Sequence, residues 1–191
     1  MKLPVMAYGM PLLRKKGKEI SSDYPNLQKL IDDMFETMYD SEGVGLAAHQ
    51  IGKPVLLFVI DAEPFANLDD VSKEEQEQLK GKRVFINAKI LERTGKEVNF
   101  TEGCLSIPGI NEDVKRKENI KIEYYDREFN KHVEEIGGLL SRVIQHEYDH
   151  TQGIMFTDHL SPLKKRLIKR KLENISKGKV DVAYRMKFPK K

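Results

Sequence analysis

Apolar residues recur at helical spacing in three stretches of this chain and form strand-like runs in several others. Leu27, Leu30, Ile31, Met34, Phe35 and Met38 make one helical stripe. Ser22 or Asp23 is placed to cap it, and Pro25 suits its first turn. Leu139, Leu140, Val143 and Ile144 make a second stripe, entered through Gly137-Gly138 and ended by Gly153. Leu163, Leu167, Ile168 and Leu172 make a third, opened by Ser161-Pro162 and closed by Gly178, with basic residues on the opposite face. Val55 to Ile60 is an unbroken apolar run between Pro54 and Asp61 and predicts a buried strand. Val84 to Leu91 and Val98 to Thr101 predict two more. Asn119 to Asp126 alternates, and Lys131 to Ile136 returns as its hairpin partner. Lys2 to Ile20 is an irregular lead with a turn at Gly9-Met10-Pro11. Ala62 to Lys82 is an acidic surface excursion in which Ser72 and Glu75 cap a short helix. No linker separates these pieces. They predict a single α+β domain over residues 1–178, with antiparallel β-sheets packed around a central helix and flanked by an N-terminal and a C-terminal helix. A basic tail, 179–191, follows.

The 191 residues are 39% hydrophobic and 33% charged, the balance of a globular protein with a sizeable core. Leu3 to Leu13 is interrupted by Pro4, Gly9 and Pro11 and lacks a small-residue cleavage site, so neither a leader nor a membrane segment is expected. One cysteine, Cys104, excludes an intramolecular disulfide and favours a reducing, cytoplasmic setting. The net charge of +3 is unevenly spread. From Lys164 onward twelve Lys or Arg stand against Glu173 and Asp181, a balance of +10, and the rest of the chain carries −7. The basic C-terminal helix is a candidate for docking on an anionic surface such as ribosomal RNA, and equally reads as a solvated face.

Chemistry concentrates in Gln145-His146-Glu147-Tyr148-Asp149-His150. On a helix His146 and His150 leave one face a turn apart, with Glu147 beside them. Two imidazoles and a carboxylate suit a metal and the proton of its water. A third ligand is needed. The downstream positions used by two protease groups hold Phe156 and Arg170, and Asp158, His159 and Asp181 have no supporting pattern. Upstream, Cys104 is a candidate soft ligand, leaving a fourth position for water. Gly43 to Gln50 is rich in glycine and alanine, so a ligand backbone can approach closely, and Gln50 offers a carboxamide donor.

Three segments, Gly43-Val44-Gly45-Leu46-Ala47-Ala48-His49-Gln50, Glu102-Gly103-Cys104-Leu105-Ser106 and Gln145 to His150, occur in this order, and together they resemble the signatures of the peptide deformylase family. The resemblance covers most of the chain apart from the acidic excursion and the residues after Gly178. It implies removal of the formyl group from the N-terminal formylmethionine of newly made proteins. Cys104, His146 and His150 would bind one divalent metal ion, Fe(II) in the cell, with zinc, nickel or cobalt as alternatives. Glu147 would take a proton from the metal-bound water, and Gln50 with the backbone N–H of Leu105 would stabilise the oxyanion. Gly43, Val44, Gly45, Glu102 and Gly103 would bind the nascent peptide as an added strand. Val44, Leu139, Arg142 and Val143 would line a methionine pocket, Arg142 through its stem. A monomer without membrane contact is expected. Arg142 stands where some relatives carry an apolar residue, and His49 where many carry Pro. His132 and His159 have no motif around them and read as surface or capping residues. Two rivals are a zinc-dependent peptidase and a ribosome- or RNA-binding protein with a structural metal. The first must explain Phe156 and Arg170, and the second lacks a fourth Cys or His.

Overall fold

The computed structural model describes residues 1–68 and 71–190. Its strands are β1 (Val5–Met6), β2 (Gly45–Ala47), β3 (Leu57–Ile60), β4 (Arg83–Cys104), β5 (Ile107–Tyr125), β6 (Lys131–Ile136) and β7 (Met186–Lys187). Its longer helices are α1 (Leu27–Asp40), α2 (Lys73–Leu79), α3 (Gly138–Thr151) and α4 (Pro162–Ser176). Strands β2 to β6 form one antiparallel sheet in sequence order, and β1 pairs with β7 in parallel.

The apolar run after Pro54 is continuous because β3 is buried on both faces. Leu57 and Val59 point to α1, where Ile31, Met34, Phe35 and Met38 meet them. Phe58 and Ile60 point to α3, against Leu140, Val143 and Ile144. Phe58 stacks on Phe85 of β4 with ring centroids 4.7 Å apart. The helix carrying the two histidines is thus clamped to the sheet by its apolar stripe. A third cluster joins α4 through Ile168, Leu172 and Ile175 to Ile107, Ile110 and Val114 of β5 and to Leu13.

Several sequence expectations shift. The α1 helix starts at Leu27, after Asn26 in the left-handed region, so neither Ser22 nor Asp23 caps it. The segments 84–91 and 98–101 belong to one strand, β4, and the polar run after Ile107 is the first half of β5. Four register shifts interrupt the β4–β5 pairing and break the alternation that would reveal it. In α4, Leu163 and Leu167 are 66% and 70% exposed and share the outer side with the basic residues. Residues beyond Gly178 return to the domain, with Val5 opposite Met186 and Met6 opposite Lys187.

The acidic excursion reaches the central helix. Ser72 caps α2 by accepting from the Glu75 N–H, as its spacing predicts. The Glu75 carboxylate then accepts from the Leu139 N–H at 2.7 Å, covering the N-terminus of α3, where a negative charge is favoured.

Candidate active site

Cys104 is the last residue of β4, and β5 starts at Ile107, so Leu105 and Ser106 alone make the turn. This turn meets the inner face of α3. Cys104 Sγ lies 3.3 Å from His150 Nε2. One ligand atom from each of Cys104, His146 and His150 falls within 4.8 Å of the others. In a tetrahedral site with a thiolate and two imidazoles, neighbouring donors stand about 3.5 Å apart. The spacing and the donor chemistry therefore fit one divalent ion. Burial and the neighbouring His146 lower the His150 pKa well below its usual value, which keeps the ring in the neutral form that ligates.

His146 is oriented from behind. Its Nδ1 meets Glu102 Oε2 at 2.9 Å, which turns Nε2 toward Cys104 and His150. Glu102 is itself held by a fork from Arg116, Nε to Oε1 at 2.7 Å and Nη2 to Oε2 at 3.0 Å. Arg116 Nη1 reaches Asp149 Oδ2 at 2.7 Å, and His159 Nε2 contacts the same oxygen at 2.7 Å. Arg142 adds a bond from Nη1 to Glu102 Oε1 at 3.0 Å. Burial alone would raise Glu102, but His146 and Arg116 hold it well below the usual carboxylate range.

Glu147 has a different environment. It is buried, and Oε2 has no hydrogen-bond partner among the described residues. Burial pushes its carboxyl up to about 7. A carboxylate with that affinity exchanges a proton readily near neutrality. Gly45 makes room for it, since a Cβ at Gly45 would stand 2.5 Å from Glu147 Oε1. The Gln50 carboxamide, on the 3-10 turn Ala48–Ile51, is oriented by the end of the preceding strand β2. Its Oε1 accepts from the Ala47 N–H at 2.9 Å, leaving Nε2 directed at Ser106 Oγ, 3.3 Å away, and Cys104 Sγ, 3.6 Å away.

These groups open into a cleft of about 570 Å³. Of the residues singled out in the sequence, Gly43, Val44, Gly45, Gln50, Glu102, Gly103, Cys104, Leu105, Arg142, Val143, His146 and Glu147 line it. Buried His150 borders it through Cys104. Leu139 is not in the wall and packs in the cluster beneath it. Arg142 is buried, and its guanidinium also binds the carbonyls of Val114 and Val98. His49 is fully buried, neither ring nitrogen has a hydrogen-bond partner among the described residues, and it is not part of the ligand group. His132 is a half-exposed partner of Asp126, whereas His159 joins the buried network. Phe156, at the position where one protease group places its third ligand, stacks on His146 with centroids 6.1 Å apart.

Three contributions escape the sequence reading. Arg116 sits in Lys115-Arg116-Lys117, a charge run that looks solvated. Only its same-face spacing from Val114 hints at burial. Phe65, from the acidic excursion, lines the cleft edge-on to Phe100 with centroids 6.2 Å apart. Tyr184 lines the cleft as well and donates to the Leu105 carbonyl at 2.7 Å.

Residues 2–166 match the family model described as polypeptide deformylase. A peptide deformylase from Flavobacterium psychrophilum is 57% identical over 191 residues, 99% of this chain and 98% of that protein. One from Christiangramia forsetii is 56% identical over 188 residues, 98% and 96% of the two chains. Among solved structures, a peptide deformylase from Legionella pneumophila superposes with a TM-score of 0.79 at 37% identity, covering 94% of this chain and 98% of that one. A peptide deformylase from Ehrlichia chaffeensis gives a TM-score of 0.81 at 32% identity, with 94% and 98% coverage.

Proposed function

The chain belongs to the polypeptide deformylase family, and on that premise we propose which residues carry out the hydrolysis. The activity is that of a hydrolase acting on formylmethionyl nascent peptides, with formate and a free N-terminus as products. Neither a zinc peptidase nor a binding protein with a structural metal is favoured.

Cys104, His146 and His150 would hold a divalent ion, which would supply Lewis acidity at the formyl group and acidify water at the site. Glu147 takes the proton of the attacking water as its oxygen adds to the formyl carbon. The oxygen of that carbonyl gains negative charge, and Gln50 Nε2 and the Leu105 N–H donate to it. The C–N bond then breaks, and Glu147 returns the proton to the departing amine. The observation that carries this assignment is the buried Glu147 carboxylate, whose Oε2 has no partner among the described residues, beside the Cys104, His146 and His150 group at one cleft.

Substrate binding follows from the open strand edges. Strand β4 pairs with β3 only over Arg83–Ile86, and its far end from Thr101 to Cys104 faces the cleft opposite Gly43 to Gly45. An extended peptide fits between them as an added strand, held through backbone groups of Gly43, Gly45, Glu102 and Gly103. Val44, Val143 and the Arg142 stem receive the methionine side chain. Leu139 lies outside that wall.

The test is formate release from a short N-formylmethionyl peptide by metal-loaded protein. Release is expected from the parent, and Cys104→Ser is expected to retain less metal after dialysis, because a hydroxyl is a poorer soft-metal ligand. No release from folded, metal-loaded protein would sink the assignment.

We also take the ion in the cell to be Fe(II), which predicts activity lost in air. The setting is taken to be the cytoplasm and the form a monomer, which a single sedimenting species would support and a dimer would refute. No helix among the described residues is long and apolar enough to cross a membrane. Leu163 and Leu167, exposed beside the basic face of α4, support docking on the ribosome. Changing Lys169, Arg170 and Lys171 to Glu should reduce co-sedimentation with ribosomes, and unchanged co-sedimentation would rule the docking out.

A further inference from the structure

The turn carrying Leu105 is pinned from outside at two consecutive carbonyls. The Tyr184 phenol donates to Leu105 O at 2.7 Å. The Tyr8 N–H donates to Ser106 O at 2.8 Å. Both pins grow from one small element. Tyr8 follows β1, Tyr184 precedes β7, and these two strands pair with each other. The pairing is extended by the Val5 N–H to Arg185 O at 2.8 Å and the Ala7 N–H to Lys187 O at 2.9 Å. Phe188 packs beside Gly178 and joins the α4 cluster. Tyr184 lies beyond the residues matched by the family model, yet it is half-buried and lines the cleft.

A two-residue turn takes its shape from the strand pairing of Cys104 with Ile107, and contacts from outside at its carbonyls set how firmly that shape is held. Here Ser106 Oγ is engaged by Gln50 and both turn carbonyls are occupied. The carbonyl held by Tyr184 shares a peptide plane with the Ser106 N–H, so the Leu105 N–H, one plane earlier, is restrained through the backbone of Leu105 beside the cleft. A donor that must meet a developing charge gains most from being fixed beforehand. Burial first, and the nearby Cys104 next, push the Tyr184 phenol up to about 12, so it remains a donor across the working pH range.

We infer that Tyr184 is a positioning residue for deformylation, its phenol holding the turn that presents the Leu105 N–H to the reacting carbonyl. This rests on the role given to Leu105 above. Tyr184→Phe keeps the ring and removes the hydrogen bond. Its kcat and kcat/KM on a formylmethionyl peptide should fall together by about 3- to 10-fold, the size of one ordinary hydrogen bond, with KM within about twofold. In isotope-labelled protein the Tyr8 amide, which donates to Ser106 O in the same turn, should exchange with solvent faster, while amides inside α3 should exchange as in the parent. A general loosening of the fold would speed both and lower the unfolding temperature, which would overturn the inference. So would unchanged kcat, or a raised KM with kcat intact, which marks Tyr184 as wall only. A parent inactive on formyl peptides would overturn the functional assignment itself, and this inference with it.

Discussion

Replacing Glu147 by alanine is expected to lower kcat on formylmethionyl peptides by about 10²- to 10⁴-fold, the usual contribution of a positioned acid–base group. The same change should leave the bound metal in place and the unfolding temperature no lower than that of the parent. The two halves of this result have one cause. Glu147 is buried without a partner for Oε2, and its carboxyl is pushed up to about 7 by that burial. A buried carboxylate in this state adds nothing to stability and is retained for chemistry, the trade described for strained active sites. The metal-binding half follows because Glu147 is not one of the three converging candidate ligands. Steady-state kinetics, metal analysis and thermal unfolding on one preparation check all three. A variant that loses its metal together with its activity would show that Glu147 acts on the ligand sphere and not on the proton.

Arg116→Met is expected to have the largest effect on stability, a loss of about 3–5 kcal/mol. The guanidinium is buried and supplies both oxygens of Glu102 and one of Asp149. Taking it away leaves two buried carboxylates with only Arg142, His146 and His159 to share. A lysine at this position would restore charge without the planar fork, and only part of the stability should return. A second consequence falls on the metal. Glu102 orients His146 through Nδ1, and loosening an oriented ligand of this kind typically costs 10- to 100-fold in metal affinity. Denaturant unfolding and metal titration measure the two effects separately. Equal unfolding midpoints for parent and variant would mean that the network is dispensable to the fold.

The sequence and the structure agree most closely where burial is periodic. The stripe of α1, the buried run of β3 and the face of α3 are written as apolar residues at the spacing each element needs. Gly153 ends α3 as expected, with a positive φ of 76°. His146, Glu147 and His150 stand out because their spacing puts them on one part of a helix, whereas Cys104, distant in sequence, joins them through the family resemblance, and the structure brings Cys104, His146 and His150 together. Arg116 does not stand out, because charged residues surround it in sequence and only the third dimension shows which charge turns inward. The long strands β4 and β5 were hidden for a related reason. Over Leu91 to Asn99 β4 is exposed or nearly so, and no apolar face marks it. Phe65 and Tyr184 were missed because each belongs to a stretch that looks peripheral along the chain and reaches the cleft only through tertiary packing.

The pairing of β1 with β7 has a consequence in time. Val5 and Met186 stand at opposite ends of the described chain, and contacts of such separation carry the greatest loop-closure cost and form late. During synthesis Val5 and Met6 wait unpaired while the sheet and α3 assemble behind them. The metal ligands and Glu147 are all available once α3 has folded, but the second pin on the Leu105 turn arrives only with Tyr184. A growing chain would thus bring its candidate metal ligands together before its cleft is fully braced. On this order most of the activity would precede Tyr184, and only the last several-fold of rate would come with it.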